Sequence, residues 1–296
     1  MKNSRYATPA ALRRALDDRL RQRSQAGGED LARLQRLVAF DRVLARLFAA
    51  GDTSSWIVKG GFGLEVRYRL AARTTKDLDL GVTHVAVAQG SGARLTIRAL
   101  WAQLQAAAEY DTGDGFVVAI GAAQAGAAKR DPTSARFPVE VYLAGRVYSR
   151  FHLDVGLADF PGGRREWMMG EDLLGFAGIS PARFAVVGVE QQMAEKLHAL
   201  TKPRGRAANT RVKDLVDLVL LLERGSPNVN EVRRAVVGTF HQEDTHPLPA
   251  QLPAPPDGWA APYAELARET EVTARTVEEA YFRVSELWRT LALDPR

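Results

Sequence analysis

Residues 9–24 and 29–49 set apolar positions three and four apart among charged ones, as in Leu31, Leu34, Leu37, Val38, Phe40, Val43, Leu44 and Leu47, the repeat of a helix with one buried face. Gly27 and Gly28 separate the two segments, so two helices joined by a turn are expected. The period then changes. "SWIVKGG" reads as a short strand running into a tight turn, Phe62, Val66 and Leu70 restore helical spacing, and "KDLDLGV" alternates with period two as a strand does. Residues 92–109 are expected to be helical. "RFPVEVYLAGRVYSRFHLDVGLAD", residues 136–159, reads as a hairpin of two alternating strands about Ala144 and Gly145. From about residue 181 the spacing is helical throughout, interrupted by "TKPRGRAANTRVK" at 201–213 and by the proline-rich "HPLPAQLPAPPDGW". The chain thus divides into a front α/β half and a helical back half, without an internal repeat.

Composition narrows what these elements can be. With 296 residues, 46% hydrophobic and 25% charged, the chain is globular and long enough for one large domain or two ordinary ones. No run of about 18 or more apolar residues is present to span a bilayer, and the start, "MKNSRYATPAALRRALDDRL", lacks the apolar centre of a secretory signal. A cytoplasmic location and no membrane partner are expected. The absence of cysteine excludes disulfides, thiolate chemistry and cysteine-ligated zinc.

The formal charge of +5 is mild, but its distribution is uneven. Arginines gather in the first fifty residues (Arg13, Arg14, Arg19, Arg21, Arg23, Arg33, Arg36, Arg42, Arg46), and residues 201–213 carry Lys202, Arg204, Arg206, Arg211 and Lys213 with no acidic residue. Either set suits a phosphate backbone. The N-terminal set suits the solvated face of helices equally well. The second set lies in a loop broken by proline and glycine, where no helix face accounts for it.

In a strand alternate side chains share a face, so Asp77 and Asp79 are expected to point together while Leu78 and Leu80 turn to the core. Thr75 is expected on that same face, placed to donate to a phosphate oxygen. Adjacent carboxylates repel unless a cation stands between them, and Mg²⁺ takes oxygen ligands while leaving positions for water and phosphate. Plain solvation of an exposed strand is the competing account. In "VYSRFHLDVGL" the odd positions Val147, Phe151, Leu153 and Val155 are apolar, so Tyr148, Arg150, His152 and Asp154 are expected on the polar face. Asp154 becomes a candidate third carboxylate, beside the alternative of a surface residue. Lys59-Gly60-Gly61 stands between strand and helix, where backbone N–H groups and the helix dipole favour an anion. An ordinary tight turn explains the glycines as well, and the Walker A spacing is absent.

The order of these features resembles a known family. Lys59-Gly60-Gly61, then R-x-T-x-D-L-D-L (Arg73, Thr75, Asp77, Asp79), a strand aspartate at 154, "EKLHAL" and "RVKDLVDL" are similar to the AbiEii/AbiGii toxin family, with its mycobacterial MenT group, of the polymerase beta-like nucleotidyltransferase superfamily. The resemblance covers most of the chain, though residues 241–262 match nothing in it. It implies an α+β fold: a nucleotidyltransferase-like mixed sheet flanked by helices in residues 1–180, followed by a mainly helical half, 181–296, that completes the active site. It further implies metal-dependent transfer of a nucleotide from an NTP. Lys59, Gly60, Gly61, Arg73 and Thr75 would bind the nucleotide, Asp77 and Asp79 would hold Mg²⁺ with Asp154, Lys196 would reach the phosphates, and Asp214 would complete the pocket.

The residue types themselves admit other roles. Lys196 lies next to the apolar Met193, Leu197 and Leu200, as a structural lysine with its ammonium at the surface does. Asp214 suits the N-cap of a helix starting at Leu215, with Asp217 in the first turn, and Asp217 is the other candidate for the functional member. The acceptor implied by the resemblance is the 3′ end of tRNA, so that aminoacylation and translation stop, with a cognate antitoxin encoded nearby and the toxin itself a monomer. Lys202, Arg204, Arg206, Arg211 and Lys213 would follow the acceptor stem without reading its sequence. Two other readings are a small-molecule nucleotidyltransferase and a non-catalytic nucleic-acid-binding regulator.

Overall fold

Thr8 opens the first helix, α1 (Pro9–Gly27), by accepting a hydrogen bond from the Ala11 amide at 3.2 Å, with Pro9 in the first turn where a missing N–H costs nothing. Gly28 closes it at φ 69°, and Asp30 caps α2 (Leu31–Leu47). The structure, a computed structural model, describes residues 4–50, 56–82, 97–124, 134–159, 164–205 and 209–293. By its internal contacts the chain forms two compact units, one of Met1–Phe62, Thr74–Phe160 and Glu166–Val186, the other of Gly63–Arg73, Pro161–Arg165 and Val187–Arg296. No helix among the described residues is long and apolar enough to cross a membrane.

The first unit is built on a seven-stranded sheet in the order β3-β4-β5-β2-β1-β7-β6. Its strands are β1 (Trp56–Lys59), β2 (Leu78–Val82), β3 (Phe116–Ile120), β4 (Ser134–Leu143), β5 (Arg146–Asp159), β6 (Arg165–Met169) and β7 (Arg183–Val187). The β1–β2, β3–β4 and β4–β5 pairs are antiparallel, whereas β1–β7 and β2–β5 are parallel, so the sheet is mixed as expected. One face is apolar: Phe137, Val139 and Val141 of β4, Phe151, Leu153 and Val155 of β5, and Leu78 and Leu80 of β2 are buried. Helix α2 packs there, its Phe40 ring meeting Phe151 edge to face at 4.6 Å. The Trp101 Nε1 of the fourth helix donates to the Ile120 carbonyl at 3.1 Å. The opposite face of β2, β4 and β5 carries charged and half-buried side chains.

The helices after α2 are α3 (Gly60–Tyr68), α4 (Ile97–Ala108), α5 (Val189–Thr201), α6 (Val212–Arg224), α7 (Val229–Glu243), α8 (Ala260–Glu269) and α9 (Val277–Thr290). Helix α3 begins in the first unit and ends in the second. The second unit is helical, with Met193, Leu197, Leu218, Val219, Tyr263, Val284 and Trp288 in its core. The helical pattern expected from residue 181 starts later, because "RFAVV" is strand β7 and α5 begins at Val189. Strands β3 and β6 also lie outside the elements the pattern predicts. A four- or five-residue apolar run has no period long enough to separate strand from helix.

Several N-terminal arginines serve neither a phosphate backbone nor a solvated helix face. Arg33, Arg42 and Arg46 are buried. Arg46 donates to both oxygens of Asp114 at 2.9 and 3.1 Å, Arg42 donates to Asp41 at 3.0 Å and to the Ser180 carbonyl at 2.8 Å. Arg13 donates to the Leu143 carbonyl at 2.8 Å. Burial alone would raise the Asp114 pKa, but the hydrogen bonds and charge of Arg46 outweigh it and hold the carboxyl below the usual range.

Asp114→Asn is therefore expected to destabilise the protein by about 3–5 kcal/mol, because the buried Arg46 guanidinium loses its anion while Arg42 keeps Asp41. Its folded pKa is depressed, so the contribution is complete above the ordinary aspartate range and is lost as pH falls through the folded value. Urea unfolding should show a lower midpoint for the variant at neutral pH and a gap that narrows in acid. Equal midpoints at neutral pH would contradict this role.

Candidate active site

The first unit's charged face is organised by register. Lys59 pairs with Asp79 across β1–β2, Asp79 with Asp154 across β2–β5, and Asp154 with Arg136 across β5–β4. Partners in register share a face, so Lys59, Asp79, Asp154 and Arg136 form one row over four adjacent strands. Gly60 follows at φ +62°, and a Cβ on it would lie 2.0 Å from Asp79 Oδ2. The turn backbone therefore rests directly on the carboxylate, and no other residue fits. The Lys59 ammonium extends over the same face to Gly156 of β5, 3.6 Å from where a Cβ on that residue would stand.

Arg136 is the residue that the sequence reading missed. Its Nε donates to Asp154 Oδ1 at 2.8 Å and its NH2 to Asp154 Oδ2 at 2.7 Å and Asp77 Oδ2 at 2.8 Å. Hydrogen bonding to Asp154, with the charges of Asp154, Asp77 and Asp79, raises its pKa despite partial burial. His152 Nδ1 stands 3.4 Å from Asp77 Oδ1. Its Nε2 is 3.2 Å from Gln124 Nε2, an arrangement that fits the tautomer with the proton on Nδ1. Tyr148, expected on this polar face, is instead buried, because a bulge near Val141 and Tyr142 shifts the β4–β5 register. Asp77 and Thr75 precede β2, so strand alternation does not place Thr75. Thr75 is buried, and its hydroxyl donates to the Asp77 carbonyl at 3.3 Å.

Asp77 and Asp79 are hard oxygen donors, half-buried at the start of β2, and their chemistry suits a divalent metal. Asp154 is arranged differently: both its oxygens accept from Arg136. Among the described residues no group of three or more His, Cys, Asp or Glu side chains is disposed to hold a metal. Asp77 accepts from the same guanidinium nitrogen, so Arg136 stands between Asp154 and Asp77, with Asp79 in register beside Asp154.

The second unit gathers the other candidates. Lys196 of α5 is 6% exposed and Asp217 of α6 is 0% exposed. The Lys196 ammonium lies 2.6 Å from Asp217 Oδ2 and 3.3 Å from Asp214 Oδ1. Arg73 donates to the two oxygens of Asp217 at 3.0 and 2.9 Å. Burial pushes Lys196 down and Asp217 up, but their mutual attraction overrides both: the lysine is held above its usual range and the aspartate below. Lys196 is therefore not a lysine with its ammonium at the surface. Asp214 is not an N-cap either, since α6 starts at Val212 and places it in the first turn, 3.6 Å from Arg211.

In the basic loop, Lys202 is half-buried and Arg211 and Lys213 are exposed. Arg204 is also half-buried and donates to the Ala199 carbonyl at 3.0 Å near the end of α5. Arg206 lies outside the described residues. A cavity of about 860 Å³ between residues 250–257 and α9 is lined by none of the candidates.

A mixed sheet that sets paired aspartates beside a glycine turn at a helix start is the core of a nucleotidyltransferase. The chain is similar to the nucleotidyltransferase toxin MenT4 of Mycobacterium tuberculosis H37Rv, with TM-score 0.56 and 18% identity over 93% of this chain and 98% of that one. Comparison with curated proteins returned no match. Residues 42–283 match the family described as nucleotidyl transferase AbiEii toxin, type IV toxin–antitoxin system, and the chain belongs to that family. It is a nucleotidyltransferase toxin, and membership implies an NTP substrate and an antitoxin.

Gly60→Ala tests the turn. The added methyl must displace Asp79 and the chain must hold a left-handed φ, at a cost of about 1–3 kcal/mol. A displacement of order 1 Å in a reacting group is expected to lower transfer by about 100-fold. Steady-state rates on protein shown to be folded by circular dichroism would read this, and near-normal turnover would refute the contact.

Proposed function

We propose that this toxin transfers a nucleotide from an NTP to the 3′ end of tRNA, which blocks aminoacylation and halts translation. The observation that carries the reading is the row Lys59–Asp79–Asp154–Arg136 with Gly60 resting on Asp79. It puts opposite charges and a helix start within one strand of each other, as a triphosphate and its metal require. Mg²⁺ on Asp77 and Asp79 would neutralise charge on the α-phosphate and assist ionisation of the acceptor hydroxyl. The first-turn amides of α3 from Gly61 onward and the Lys59 ammonium hold the triphosphate. The acceptor oxygen bonds to the α-phosphorus, the bond to the β-phosphate oxygen breaks, and pyrophosphate leaves while the hydroxyl proton passes to solvent.

Lys196, Asp214 and Asp217, with Arg73, form the second charged group in this reading. Held by two carboxylates, Lys196 is a fixed rather than a mobile side chain, and with Arg73 it balances Asp214 and Asp217 within the second unit. Thr75 orients Asp77 through its hydrogen bond to the backbone carbonyl. The reaction takes place in the cytoplasm, where tRNA is found, with the toxin as a monomer and its activity countered by the antitoxin. A small-molecule acceptor would leave the positive loop at 201–213 without a purpose.

Incubation with each labelled NTP, Mg²⁺ and total tRNA should move label onto tRNA 3′ ends, and Asp79→Asn should abolish the transfer in folded protein. Label retained by the variant, or none on tRNA with the wild type, would overturn the assignment.

The loop generates a separate expectation. The double variant Lys202→Ser, Arg206→Ser should weaken tRNA binding and reduce the slope of log affinity against log salt by roughly 0.7–0.9 per charge. NTP affinity should be unchanged. Arg204 is left intact because its bond to Ala199 closes α5. An unaltered slope would return the loop to a solvated surface.

A further inference from the structure

Beside Asp77, on the charged face of the first unit, lies a cavity of about 650 Å³ whose lining includes Ala119, Gly121, Pro138, Arg150 and His152 as well as Asp77 itself. We infer that this cavity is the acceptor subsite and receives the terminal nucleoside of a single-stranded RNA 3′ end. The inference rests on the nucleotidyl-transfer reading above and names where its second substrate binds.

Topology supplies the first argument. The sheet order is β3-β4-β5-β2-β1, with the reacting aspartates at β2. Lys59 and the start of α3 lie on the β1 side of them, and the cavity lies on the β5, β4 and β3 side. An in-line displacement needs the entering hydroxyl and the leaving pyrophosphate on opposite sides of the α-phosphorus. With the triphosphate on the β1 side, the entering group comes from the cavity.

The floor supplies the second argument. Pro138 stands within β4, a strand paired on both sides, where a residue without an N–H is disfavoured. Gly121, just past β3, donates to the Pro138 carbonyl at 2.9 Å, and a Cβ on it would come within 2.8 Å of Pro138 Cγ. Two residues that suit strands poorly are thus fitted against each other. Their joint effect is a low, flat floor continued by Ala119. Such a floor takes the flat apolar face of a base by van der Waals contact and burial, without regard to sequence.

The walls supply the third. Gln124, hydrogen-bonded to His152 at one edge, has an amide oxygen and a second amide hydrogen to offer a base or ribose. The exposed Lys76 offers positive charge toward solvent, where the phosphate of the preceding nucleotide would lie, while Arg150, 67% exposed on its side chain, is paired with Glu140 at 2.5 Å in the same lining. The ribose hydroxyl then faces Asp77.

Ala119→Trp fills the cavity from an exposed position of β3 without touching the core. Binding of a fluorescent RNA hairpin carrying a short single-stranded 3′ overhang is compared with binding of the same hairpin ending flush. The wild type should prefer the overhang by about tenfold, the order expected from burying one apolar face of a base, and Ala119→Trp should erase the preference while flush-hairpin and NTP binding stay unchanged. In transfer assays its KM for the overhang RNA should rise about tenfold at constant KM for NTP. An overhang preference intact in Ala119→Trp overturns the inference, as does a wild type without the preference. Weakened NTP binding in the variant also overturns it, by giving the cavity to the incoming nucleotide. A wild type that binds the overhang through this cavity yet labels no RNA would instead refute the proposed transfer and leave the subsite standing.

Discussion

Asp79 and Asp154 face each other in register on neighbouring parallel strands, and like charges so placed repel. Much of the charged face follows from the need to compensate that contact. Lys59 answers Asp79 from β1, and Arg136 answers Asp154 from β4 and extends to Asp77. Along the row the charges run cation, anion, anion, cation, and Asp77 adds one more carboxylate beside Arg136, so that two cations stand among three anions. That residual negative charge suits a divalent ion, whereas a fully neutral set would hold one weakly.

Within the second unit the same physics operates in a drier setting. Arg73, Lys196, Asp214 and Asp217 bring two cations and two anions together with almost no water, so each is costly alone and stable in company. The pKa directions express this: attraction overrides burial for Lys196 and for Asp217. A group held so firmly acts by where it stands. It also ties α5 to α6 and to residues of the chain more than a hundred positions earlier.

The hairpin and the helical back half were legible in the sequence because each rests on a local period, the mixed sheet was what the family resemblance implied, and the alternation that set Asp77 with Asp79 reaches only Asp79, since the strand begins at Leu78. Arg136 was hidden by a single irregularity. Reading the hairpin outward from its turn, where Leu143 pairs with Arg146, an unbroken register would set Ala135 opposite Asp154; the bulge advances it by one and brings in Arg136. The same bulge buries Tyr148, which alternation assigns to the polar face. Arg42 and Arg46 misled for a different reason. An arginine at helical spacing looks the same whether it meets water or Asp114, a partner sixty-eight residues from Arg46, and no local pattern encodes that distance.

Gly60 carries a consequence for how such a gene changes over generations. A toxin burdens the cell that makes it whenever its antitoxin fails, so inactivating mutations are favoured at those moments. At this codon every missense change adds a Cβ toward Asp79, and the aspartate cannot shrink to make room without giving up its carboxylate. Inactivation there is open to any substitution, and a second-site change at the touching residue does not undo it. The lineage then keeps a folded, silent protein until the glycine itself is restored.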